Sequence, residues 1–276
     1  MPDLQRRLDV AVEAARAAGA AAMKFYGTAT AVAKSDASPV TQADHAANAV
    51  ILEALRREFP EDAILSEESK DSGERLTASR VWIVDPLDGT KEFLAQNGEF
   101  SIMIGLAVDG EAVLGVVYLP DGEVMYSAAR GLGAWVETGG VRRRLARGAA
   151  SLDALRLVGS RSHADLLLER MQAALGITDV LPCGSVGVKC SRIVEDLRDL
   201  YVHPVRFLKE WDTCAPEVLV REAGGWVGDC RGKPLRYNKP SPIQPHGILA
   251  CAPGAIGEVL PRVRAIYEST LENALV

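Results

Sequence analysis

The chain has 276 residues, 48% of them hydrophobic and 25% charged. That is enough apolar material for one large domain or two closely packed halves, with no sign of disorder. A net charge of −6 argues against nucleic acid as the main partner, because a phosphate backbone demands a basic face.

In chain order, Leu4 to Phe25 has apolar residues at helical spacing and stops at Gly27, which predicts an amphipathic helix. A second helix is expected from about Thr41 to Phe59, ended by Pro60. Ala63-Ile64-Leu65 and Val81-Trp82-Ile83-Val84 are short apolar runs of strand formers, each leading directly into acidic residues. Phe100 to Val136 reads as a meander with turns at Asp109-Gly110 and Asp121-Gly122. The basic run Arg142-Arg143-Arg144 follows a Gly-Gly turn and is expected to be a solvated loop or strand edge. Arg147 to Ser151 is small and polar and marks the expected boundary between two halves, 1–148 and 149–276. The second half mixes helices, about Ala164 to Leu175 and Trp211 to Ala223, with short strands such as Leu155 to Val158 and Gly247 to Ala250. Interspersed helices and strands place the fold in the α/β or α+β class with layered sheets.

No stretch approaches the ~20 apolar residues of a membrane span, and Met1 to Leu8 is charged where a signal peptide would be apolar. Five cysteines without C-x-x-C spacing are expected to be buried free thiols in a reducing cytoplasm. Monomer and homodimer both remain open.

Glu67 and Glu68, Asp85 and Asp88, and Asp212 stand out because each group follows a strand end or opens a helix. Open α/β sheets form their sites just past strand ends. Carboxylates gathered there repel one another unless a hard cation lies between them, and Mg²⁺ takes a few carboxylates while keeping room for water and phosphate oxygens. Within Asp85-Pro86-Leu87-Asp88-Gly89-Thr90, Pro86 restricts the backbone, Gly89 permits close approach, and Gly89 and Thr90 can present N–H groups and a hydroxyl to an anion. Taken alone, each feature also has a plain structural reading. Asp44 forms a capping box with Thr41, Glu68 is a surface residue, Asp212 is a helix-start aspartate, and Trp82 and Trp211 are core or wall residues.

Ser66-Glu67-Glu68-Ser69, Val84 to Thr90, and Trp211-Asp212 followed by Glu222-Ala223-Gly224-Gly225 together resemble, in order and spacing, the three motifs of the inositol monophosphatase superfamily. The resemblance implies a layered α/β/α/β/α sandwich and a lithium-sensitive, Mg²⁺-dependent phosphatase with two to three ions per site. It implies that Glu67, Asp85, Asp88, Asp212 and the carbonyl of Leu87 bind metal. Thr90 with Asp44 and Glu67 would orient and deprotonate the attacking water, while Gly89 and Thr90 would hold the phosphate. The substrate would be a small phosphate ester.

Within the superfamily, Ser160-Arg161-Ser162-His163, Lys189-Cys190 and Glu210 to Pro216 are similar to segments of the 3′(2′),5′-bisphosphate nucleotidases, which remove the 3′-phosphate of adenosine 3′,5′-bisphosphate. That similarity adds Ser160, His163, Ser185, Lys189 and Asp212 as expected substrate contacts. Val186 stands where those enzymes place a serine, and Ser185 precedes it. Val205 stands where the inositol-specific branch has a glutamate. An inositol 1-phosphatase and a non-catalytic phospho-ligand sensor are the alternative readings.

Overall fold

A computed structural model describes residues 3–33, 39–161, 166–204 and 208–273. Helix α1 (Leu4–Met23) buries Leu4, Leu8, Ala11, Ala15, Ala18 and Ala22, a stripe at three- and four-residue spacing. Helix α2 (Gln42–Glu58) starts at Thr41, whose Oγ1 accepts the Ala43 N–H at 3.0 Å. A minimal antiparallel pair, β1 (Val32–Ala33) with β2 (Pro39–Val40), precedes α2.

The two helices cover one face of a seven-stranded sheet ordered β3 (Ala63–Ser66), β4 (Arg80–Asp88), β5 (Ser101–Val108), β6 (Glu111–Leu119), β7 (Val124–Ala129), β8 (Gly133–Thr138) and β9 (Val141–Leu145). Only β3 and β4 run parallel; the others form a meander that contains the one expected from Phe100 to Val136 and extends it to β4 and β9. Asp109 and Gly110 both have positive φ, as a two-residue hairpin turn requires. β9 is an exposed edge strand, and its three arginines blunt an otherwise open edge.

The second sheet has five strands ordered β11 (Asp179–Cys183), β10 (Arg156–Ser160), β12 (Leu200–His203), β14 (Ile248–Cys251) and β13 (Trp226–Gly228). Helices α5 (Val186–Val194) and α6 (Glu210–Glu222) lie between the sheets and share one apolar core with both. Helices α4 (Leu166–Leu175) and α7 (Ile256–Asn273) cover the outer face of the second sheet. The result is the expected layered α/β/α/β/α arrangement. The short helix α3 (Thr90–Leu94) follows β4 directly.

No element expected from the sequence covers β11, α5, β12 or α7. β11, α5 and β12, of four to nine residues, carry little periodicity, and the valines of α5 favour a strand until packing between two sheets decides otherwise. The 18-residue α7, by contrast, does carry helical spacing in Val259, Val263 and Tyr267. A second difference is local but consequential. The chain does not leave β4 at Val84. Asp85 pairs with Met103 and Asp88 with Ser101, so three steps on β4 oppose two on β5, and the strand carries a β-bulge.

Gly105 on β5 and Gly115 on β6 face each other across the sheet, and α6 rests directly on them. A Cβ on Gly115 would fall 2.3 Å from the backbone oxygen of Ala215. This close approach holds the start of α6, and with it Asp212, against the end of β4. Gly115→Ala should therefore lower stability by about 1–3 kcal/mol, read as a reduced urea midpoint with an unchanged slope.

Candidate active site

The bulge explains how two aspartates three residues apart come to share a face. In a regular strand they would point to opposite sides; one inserted residue restores them to the same side. Asp212 arrives from the first turn of α6. Ligand oxygens of Asp85, Asp88 and Asp212 lie within 4.8 Å of one another, with Asp85 buried and the other two half-buried. Glu67 follows β3 beside the end of parallel β4, where its N–H donates to the Val84 carbonyl at 3.1 Å. It lies outside the tight trio, yet its charge bears on Asp85 and Asp212. Glu68 is half-buried rather than fully exposed.

Each aspartate of the trio has one oxygen tied to the protein. Asp85 Oδ1 accepts the Leu87 N–H at 3.1 Å, and Asp212 Oδ2 accepts the Lys209 N–H at 2.5 Å. Asp88 Oδ2 accepts the Ser185 hydroxyl at 2.6 Å and the Gly187 N–H at 3.1 Å. Asp44 Oδ2 accepts both the N–H and the hydroxyl of Thr41, at 2.8 and 2.7 Å. Its Oδ1 accepts the Thr90 hydroxyl at 3.1 Å, so the capping role and the approach to Thr90 coexist. The Thr90 hydroxyl also lies 3.3 Å from the Leu87 carbonyl oxygen. Gly89 is at φ 91, and a Cβ there would meet the Glu99 carbonyl at 2.9 Å, so only glycine fits.

Burial, then repulsion from Glu67, Asp88 and Asp212, holds the Asp85 carboxyl well above the usual range. Burial, then Asp88 and Glu67, does the same to Asp212, against the pull of Lys209. Burial pushes the Cys183 thiol up to about 11 and Cys190 up to about 12, so neither supplies a thiolate at neutral pH. All five cysteines are free and buried, as the sequence reading expects.

Of the expected substrate contacts, Ser160 ends β10 directly opposite Cys183 of β11, which brings it beside the Gly184-Ser185 turn. Lys189 is buried, with Nζ 3.3 Å from the Ser185 carbonyl oxygen and 5.4 Å from the Tyr201 ring centroid. His163 lies outside the described residues, as does Val205. His45 is exposed and Trp82 is in the core.

Two supporting residues, Asn48 and Glu99, belong to none of the sequence motifs. Asn48 accepts the Ser66 hydroxyl at 2.7 Å and donates to Ser69 at 3.2 Å, fixing the segment that carries Glu67. Its place four residues after Asp44, on the same helix face, was the available signal. Glu99 accepts the Gly184 N–H at 2.8 Å and two bonds from Arg161, at 3.1 and 2.6 Å. Burial disfavours its charge, but Arg161 and the Gly184 N–H bring it below the usual range. No spacing in the sequence points to this contact.

Residues 3–265 match the inositol monophosphatase family, and the chain belongs to it. The 3′(2′),5′-bisphosphate nucleotidase CysQ of Escherichia coli strain K12 is 43% identical over 236 residues, covering 83% of this chain and 93% of that protein. The 3′-phosphoadenosine 5′-phosphate phosphatase of Mycobacterium leprae strain TN is 36% identical over 220 residues, 76% of each chain. The crystal structure of CysQ from Bacteroides thetaiotaomicron superposes with a TM-score of 0.77 at 31% identity, covering 91% of this chain and 99% of that one.

The raised carboxyls have a measurable consequence. Their folded-state pKa values exceed the unfolded value of about 4, so the folded chain binds more protons between the two. The contribution of these two carboxyls to the stability of the cation-free protein should therefore be full below about pH 4 and be lost as pH rises through the folded values. Asp85→Asn should flatten this decline and raise the melting temperature of the cation-free protein at neutral pH. Melting curves of both proteins across pH in a chelating buffer test it; a wild-type curve no steeper than that of the variant would contradict it.

Proposed function

We propose that the chain is a magnesium-dependent phosphatase that converts adenosine 3′,5′-bisphosphate to AMP by direct attack of water at the 3′-phosphate. The observation that carries the reading is the convergence of Asp85, Asp88 and Asp212 beside the Thr90–Asp44 pair. The bisphosphate-specific names of the E. coli and M. leprae relatives support the choice of substrate.

A set of carboxylates whose burial and crowding hold Asp85 and Asp212 above the usual range fits a hard divalent cation. Glu67, Asp85, Asp88, Asp212 and the Leu87 carbonyl would hold two to three Mg²⁺ ions. When bound, these supply Lewis acidity and neutralise charge on the phosphoryl and leaving oxygens. Thr90 and Asp44 handle the proton. The attacking water gives a proton to Thr90 Oγ1 as the hydroxyl proton passes to Asp44 Oδ1. Thr41 holds the other oxygen of Asp44, so the carboxylate presents a fixed acceptor. Glu67 assists in orienting the water, and the backbone at Gly89 and Thr90 seats the phosphate. Ser160 and His163 lie on the segment assigned to the nucleoside. Lys189 has three N–H donors and gives one to the Ser185 carbonyl, which leaves others for the 5′-phosphate.

The same reading places the protein in a reducing cytoplasm, consistent with five buried thiols. Among the described residues, no helix is long and apolar enough to cross a membrane. It also treats 1–148 and 149–276 as two halves, the first contributing Glu67, Asp85 and Asp88 to the site and the second Asp212.

Thr90→Ala should slow turnover by about 10²- to 10⁴-fold and leave Mg²⁺ binding largely intact, as read by steady-state kinetics alongside calorimetric titration. A near-normal rate would overturn the assignment of the proton path.

Phosphate release from adenosine 3′,5′-bisphosphate, inositol 1-phosphate and fructose 1,6-bisphosphate, measured side by side, tests the substrate. The first should be preferred. Lys189→Ala should raise KM for the bisphosphate by about ten- to a hundredfold, the value of one charge-assisted contact, and barely affect a monophosphate. Equal losses on both would make Lys189 structural.

A further inference from the structure

Ser185 caps the start of α5, and its backbone is unusual: φ 40 and ψ 131, a left-handed φ that a residue with a side chain seldom adopts. Such a conformation persists only where the surroundings over-determine it. Here they do. The Lys189 backbone N–H donates to the Ser185 carbonyl oxygen at 3.2 Å, and Glu99 accepts the N–H of the preceding Gly184 at 2.8 Å. Gly184 cannot be larger, since a Cβ would fall 2.3 Å from Glu92 Cγ.

A hydroxyl has one proton and two lone pairs. Ser185 Oγ lies 2.6 Å from Asp88 Oδ2, accepts the Val188 N–H at 3.2 Å, and sits 2.8 Å from Ser101 Oγ. An ionised carboxylate only accepts, so the Ser185 proton goes to Asp88 and Ser101 must donate to Ser185. All three positions on the oxygen are then filled. Ser101 is fully buried and pairs with Asp88 across the β4–β5 ladder at the bulge, so the chain of bonds closes on the aspartate it serves.

We infer that Ser185, supported by Ser101, is a positioning residue for Asp88 rather than a contact to substrate: its hydroxyl and the Gly187 N–H commit Asp88 Oδ2 to the protein and set which carboxylate oxygen meets the cation. This deepens the metal-site reading above and rests on it. It also reassigns Ser185, which the sequence resemblance groups with the substrate residues.

Isothermal titration of the full chain with Mg²⁺, without substrate, tests the inference. Ser185→Ala should weaken Mg²⁺ binding by about ten- to a hundredfold, as loss of a bond that orients a metal ligand does. At saturating Mg²⁺ its KM for adenosine 3′,5′-bisphosphate should stay within about twofold of the wild-type value. Ser101→Ala should weaken binding in the same direction by about two- to tenfold. Ser185→Gly removes the hydroxyl while relaxing the backbone, so it should lose the same affinity with no fall in melting temperature. These two variants decide the matter if Ser185→Ala misfolds. Unchanged Mg²⁺ affinity in the folded variants, or a raised KM with unchanged affinity, would overturn the inference. A wild-type chain that takes up no Mg²⁺ would overturn the metal-site reading and the inference with it, an outcome distinct from wild-type and variants binding equally.

Discussion

Everything about this molecule's site follows from holding like charges together. Two unit charges at ~4 Å in a partly buried setting repel by about 4 kcal/mol, and here oxygens of Asp85, Asp88 and Asp212 gather within 4.8 Å. The fold meets that cost locally by giving each aspartate a donor: a backbone N–H for Asp85 and Asp212, and a backbone N–H with a hydroxyl for Asp88. Asp44, which faces Thr90, is tied in the same way. One oxygen of each trio carboxylate, and both of Asp44, are thereby held by the protein. What the donors leave uncompensated is what makes the trio receptive to a cation.

The surrounding architecture reads as the means of delivering these carboxylates. The bulge in β4 turns Asp85 and Asp88 to one face. The paired glycines 105 and 115 let α6 lie close enough on the sheet for Asp212 to reach that face from the far side of the core. Helix α2 brings Asp44 and, one turn on, Asn48, which steadies the segment bearing Glu67. Glu99 and Arg161 join the segment before β5 to the ends of β10 and β11, so the turn at Ser185 is fastened from both sheets. A single apolar core running from β3 through α5 and α6 to β14 keeps these attachments at fixed spacing.

The layered α/β class, both N-terminal helices and the β5–β8 meander were readable because long amphipathic segments and hairpin turns announce themselves over many residues. The convergence of Asp85, Asp88 and Asp212 was readable for a different reason: a motif fixes local spacing, and three motifs in order fix the site. By itself the sequence thus determined which acidic residues gather and which family they mark. It did not determine how they gather. That two aspartates separated by three residues share a face depends on the register against β5, and register is a property of the pair of strands. The short elements α5 and β12 took their form from burial beneath neighbouring layers, which outweighs the propensities of four to nine residues, and the largely exposed β11 took its form from pairing with β10. The role of Ser185 was decided there as well. From sequence it is a polar residue near a binding segment; only the meeting of β4, β5 and α5 shows that its one proton is already held by Asp88, because hydrogen-bond capacity is counted in space and not along the chain.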